Sequence, residues 1–184
     1  MEVSDPVRRL CAAVAADGPD DARRPLVRTV EDASIAAGLG EAALQTLPTG
    51  VLLVLNPGVN EARVVTDLTR ELRNALWRRN RRHDDGHRLR CRVSYHQGLV
   101  RLTDAGFEGQ AVTVADDLCA CDDLRAVLAA DPERDLAMII SGNLLDDLAY
   151  PEAGGLSRRQ FRPVTVATRD RVVPAYIYTH EHPA

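Results

Sequence analysis

The chain has 184 residues, 45 % of them hydrophobic and 27 % charged, with a net charge of −4. That is enough apolar material for one full core and a single soluble domain, and the acid excess gives no bulk-charge route to nucleic acid. Every basic residue is arginine and none is lysine, so any mechanism requiring a lysine is excluded.

The four cysteines, Cys11, Cys91, Cys119 and Cys121, fit no CxxC or zinc spacing and read as reduced thiols. No apolar run approaches the length a bilayer requires, and "MEVSDPVRRL" lacks a signal-peptide core. A cytoplasmic protein is expected.

In chain order, Arg9–Ala16 reads as a short buried strand and Asp21–Ala37 as a helix with Leu26, Val30, Ala33 and Ala37 on one stripe. Ala42–Leu47 and Val51–Leu55 flank "PTG" as a hairpin; the second, VLLVL, should be covered on both faces. A long helix is expected over Asn60–Asn80, its apolar face carrying Val65, Leu68, Leu72, Ala75 and Leu76, with Arg63 and Asp67 as an i,i+4 pair. Leu89, Cys91, Val93 and Tyr95 alternate with Arg88, Arg90, Arg92 and Ser94, the pattern of a strand with one buried and one wet face. Gln97–Gly98 is read as a turn into an antiparallel partner, Leu99–Leu102, and "TDAGFEG" as a loop. One or two helices over Gln110–Ala130 follow, then a strand at Leu136–Ile140 and a short helix at Asn143–Ala149. A hairpin of Val164–Ala167 and Val172–Tyr178 closes the chain. These paired strands give an α+β class: a ferredoxin-like sandwich, its sheet mostly antiparallel with helices on one face. A single domain over 1–179 and a flexible tail over 180–184 are expected.

The segments "GVLLVLNPGVNEARVVTDLTRELRNAL", "VSYHQGLV", "GFEGQAVTVADDL" and "LAMIISGNLLDDL" carry, in order and spacing, a resemblance to the class III adenylate/guanylate cyclase homology domain. It covers nearly the whole chain, is weakest before Thr46, and is closest to divergent actinobacterial domains of this type. The resemblance implies two metal-binding aspartates, one ending the first strand and one in the turn between the second and third strands, which hold cations for attack on the α-phosphate. This chain places Ala15 and Thr49 there. It also implies an asparagine and an arginine on the helix after the conserved glycine, which act on ribose and transition-state charge. Those positions hold Thr113 and Asp117.

With all four positions altered, neither metal nor cofactor is expected. The resemblance then implies a catalytically inactive regulatory or scaffold module that pairs as a homodimer or a cyclase-like heterodimer, or otherwise meets a protein partner. Two alternatives stand beside it. One is a metal-independent module binding a nucleotide or small molecule in the remnant cleft; the other is an enzyme with repurposed chemistry there. Candidate cleft-lining residues are Asp17, His96, Asp104 and Phe107. Asp17 points to the same face as Ala15 and with Asp20 or Asp21 would rebuild a displaced metal site. Arg78, Arg79, Arg81 and Arg82 are candidate anion binders or a solvated helix end. Trp77, the lone tryptophan, is core or an interface anchor. His83 and His87 read as loop residues.

Overall fold

The computed structural model describes residues 5–18, 22–82, 87–149 and 156–179. Its elements run β1 (Val7–Asp17), α1 (Arg23–Ala36), β2 (Ala43–Thr46), β3 (Val51–Val54), α2 (Glu61–Asn80), β4 (Arg90–Thr103) and β5 (Gly106–Glu108). They continue with α3 (Gln110–Ala120), α4 (Asp122–Ala130), β6 (Leu136–Ser141), α5 (Gly142–Leu148), β7 (Phe161–Ala167) and β8 (Val172–Tyr178). The strands form one sheet in the order β2-β3-β1-β4-β6-β8-β7, with β5 added to β4. Only β4 and β6 pair in parallel; the other pairs are antiparallel. The expected α+β sandwich with a mostly antiparallel sheet is therefore present, but its helices cover both faces, α1 and α2 on one and α3 and α4 on the other, and not one face as expected.

Strand alternation distributes the core. Leu10, Ala12 and Val14 of β1 face α1 and α2 in the main cluster, with Leu53, Val93 and Tyr95. Cys11, Ala13 and Ala15 face α3, where Ala111, Ala115 and Cys119 form a stripe at four-residue spacing. Small side chains meet small side chains, so α3 lies close on the sheet. This explains a central strand rich in alanine, a weak strand former whose value here is its size. A third cluster joins Val114 and Leu118 of α3 and Leu124 and Leu128 of α4 to Ile139, Val173 and Ile177.

This second helical layer changes the reading of β4. The face expected to be wet is covered: Arg92 is 6 % exposed, Ser94 0 % and His96 3 %. Nor does the chain turn at Gln97–Gly98; β4 runs straight through to Thr103. A Cβ at Gly98 would lie 3.1 Å from Ala111 Cβ, so the glycine answers to the close helix and not to a turn. The hairpin partner of β4 is β5, inside the segment expected as a loop, with Leu102 opposite Phe107. Strand β7 likewise begins at Phe161, ahead of the expected Val164.

Helix α2 follows its sequence closely. Asn60 caps it, accepting from the Arg63 amide at 3.1 Å. The Arg63–Asp67 pair is present at 4.0 Å, but Asp67 lies closer to Arg70, at 2.8 Å.

Candidate functional site

The resemblance directs attention to the end of β1 and the β2–β3 turn. Gly50 lets that turn close on β1: a Cβ there would stand 2.2 Å from the Val14 carbonyl oxygen. Beside it lies a cavity of about 420 Å³ lined by Ala16, Gly18, Arg23, Leu26, Thr49 and Gly50, among others. No carboxylate among the described residues lines it. Among the described residues no cluster of three His, Cys, Asp or Glu side chains stands ready for a metal. Asp20 and Asp21, which the displaced-metal reading needs, lie outside the described residues.

Ala15 and Thr49 fall on different sides. Thr49 lines the cavity, but Ala15 packs against α3 and is 4 % exposed, and Ala16 takes the place beside Thr49. Alanine supplies no metal ligand at either position. Asp17 turns, with Ala15, toward Arg92, 3.7 Å away. The Arg92 guanidinium donates to Cys119 O at 2.9 Å and Ala16 O at 3.3 Å. A buried cation is costly unless so partnered. It ties β4 to β1 and α3 beside Ala15.

The remaining two altered positions lie on α3. Thr113 and Asp117 are half-buried. Asp117 accepts from the Arg169 amide at 2.8 Å and pairs with Arg169 Nε at 3.1 Å. Arg169 Nη2 also reaches Asp116, at 2.8 Å, and the Thr49 hydroxyl donates to the other oxygen of Asp116. One network, Thr49–Asp116–Arg169–Asp117, thus occupies donors and acceptors that would otherwise face a ligand. Hydrogen bonding to Asp116 and the charge of Asp117 push the Arg169 pKa up. The doubled aspartate of "VADDL" was the only sequence signal of this network; nothing near Arg169 marked it as their partner.

The other candidates do not converge. Cys11 of β1 pairs with His96, whereas Asp17 pairs with Arg90; six residues of strand separate the two by roughly 20 Å. Asp104 is exposed in the β4–β5 turn. Phe107 is half-buried, its backbone clasped by Gln45, which accepts from Phe107 N at 2.6 Å and donates to Phe107 O at 3.3 Å. Arg9 lies 5.6 Å over its ring. His96 instead lines a separate cavity of about 370 Å³ with Asn143, Arg171 and Tyr176. Burial, then the charges of Arg171 and Arg8, lowers its pKa to about 4. No thiol is poised as a nucleophile: burial pushes Cys11 and Cys119 up to about 12 and raises Cys91 and Cys121 as well.

Arg78, Arg81 and Arg82 are exposed at the end of α2, and Arg79 is half-buried. Trp77 is not core; it is 55 % exposed, with Arg81 4.6 Å over its ring. His87 is exposed, while His83 and the tail over 180–184 lie outside the described residues. No described helix is long and apolar enough to cross a membrane.

Among solved structures, the chain is similar to an adenylate/guanylate cyclase/hydrolase from Silicibacter pomeroyi at TM-score 0.63 and 19 % identity, covering 96 % of this chain and 100 % of that one. It is also similar to the guanylyl cyclase Cya2 (TM-score 0.61, 13 % identity, 96 % and 94 % covered). The adenylyl cyclase CyaB from P. aeruginosa matches at TM-score 0.59 and 11 % identity, over 97 % and 98 % of the two chains. No protein-family model and no curated protein matches the chain. The fold is that of a cyclase-homology domain.

Proposed function

We propose that this chain is a catalytically inactive cyclase-homology domain serving as a dimerising regulatory or scaffold module. One observation carries the reading: among the described residues, the cavity where cations would be gripped offers Ala16, Gly18, Thr49 and Gly50, and no carboxylate. Hard divalent ions need several oxygen ligands, normally including carboxylates. The polar groups nearby are already committed, Thr49 to Asp116 and Asp117 to Arg169. Repurposed chemistry in the same cleft has no support, because His96, Asp17 and Asp104 stand apart.

Pairing is supported by the far end of β4, where Leu99, opposite Arg8 of β1, is 57 % exposed and Leu102, beyond the start of β1, is 49 % exposed. Exposed leucines near the end of a strand suit an interface. A second reading, metal-independent binding of a nucleotide or other small molecule, draws on Arg23, whose guanidinium donates to Leu47 O at 2.7 Å on the rim of the cavity.

Assay of the purified chain with ATP or GTP and Mn²⁺ tests the main reading. No cyclic nucleotide above the protein-free control is expected, and sustained turnover would refute it. A melting temperature raised by nucleotide without metal would favour the second reading.

A further inference from the structure

We propose that the cavity between His96, α5 and the start of β8 binds a small organic carboxylate, held by Arg171 and Asn143 against His96. It shares no lining residue with the cavity at the β2–β3 turn. The inference therefore stands apart from the reading of that site.

The first observation is an unpaired buried group. His96 is 3 % exposed and lines the cavity, yet its Nδ1 is buried with no hydrogen-bond partner among the described residues. Ser141, next to the lining residue Gly142, is fully buried with its hydroxyl also unpartnered. Buried polar atoms are almost always satisfied, so the orphan on the lining residue His96 calls for a missing partner. The second observation is charge. Arg171 lines the opening, and its guanidinium makes no hydrogen bond or ion pair among the described residues. Asp146, the carboxylate of the lining, is neutralised by an ion pair with Arg158, which also covers the Tyr176 ring at 5.3 Å. Arg8 adds further positive charge near His96. The site therefore carries one uncompensated cation, a neutral imidazole able to donate one hydrogen bond, and the Asn143 amide.

The walls choose between anions. Val172, Val173 and Pro174 are apolar, which suits a carboxylate on a hydrophobic body better than inorganic phosphate. At about 370 Å³ the space lies near the lower end for small-molecule pockets, too small to favour a nucleoside triphosphate.

The test is an NMR titration of the full chain, observing the His96 ring, with benzoate, benzamide and inorganic phosphate as probes. Benzoate is expected to shift the ring resonances saturably in the millimolar range, and benzamide and phosphate to do so far less. Arg171→Ala and Asn143→Leu replace exposed side chains and should fold normally; each should weaken benzoate by about tenfold, the loss of a charge-assisted or direct hydrogen bond. No saturable shift with benzoate, equal binding of benzamide, preference for phosphate, or unchanged affinity in both variants would overturn the assignment.

Discussion

Arg92 and His96 show what one buried polar residue can decide. Arg92 satisfies two carbonyls, Cys119 O and Ala16 O, from inside the α3 layer. Replacing it with methionine keeps the length but leaves both acceptors unpaired, and Arg92→Met is expected to lower unfolding free energy by about 2–3 kcal/mol, measured by urea titration. An unchanged midpoint would show that water replaces the guanidinium. His96 has its pKa lowered from 6.5 to about 4. The unfolded chain therefore takes up the proton first, so stability is full above pH 6.5 and is lost as pH falls from there toward 4. His96→Gln should flatten the pH dependence of the melting temperature across that window.

At the scale of elements, glycines report close contacts that sequence reading took for turns or left unexplained. Gly98 was read as a turn but sits mid-strand under Ala111; Gly50 sits against the Val14 carbonyl. Gly50→Ala cannot relieve a backbone clash by a rotamer change and is expected to cost about 1–3 kcal/mol, the usual range for overpacking; thermal denaturation would check it. Gly109 opens α3 at φ +134°, with Leu99 O 2.6 Å from where a Cβ would stand, so the glycine before that helix was legible for a sound reason. Helix α2 was legible because its apolar stripe and its Asn60 cap are local. The covered face of β4 was not. Arginine, serine and histidine at Arg92, Ser94 and His96 signal solvent locally, and only α3, brought back from distant sequence, hides them. Three-residue β5 is too short to show a period.

For the whole molecule, paired strands and helix periods, which are read locally, were enough to give the α+β class even with a turn misplaced at Gln97–Gly98. The cyclase-like layout came from the resemblance of four segments in order and spacing. Of the positions the resemblance points to, Thr49 lines the cavity, Ala15 turns to α3, and Thr113 and Asp117 lie on α3. What occupies the space was not legible in the sequence, because Arg169 meets Asp116 and Asp117 across more than fifty residues of chain. If β4 and β5 form the pairing arm, Leu99→Glu with Leu102→Glu should convert a dimer into a folded monomer, seen by light scattering after gel filtration. Unchanged association would place the interface elsewhere.

The central claim concerns metal. Electron paramagnetic resonance of Mn²⁺ mixed with the full chain reads it directly. The account predicts the spectrum of free aqueous Mn²⁺ at full amplitude, with or without ATP-free protein in excess. A stoichiometric loss of that signal, reversed by excess Mg²⁺ and abolished by Thr49→Ala or Asp17→Ala, would contradict it.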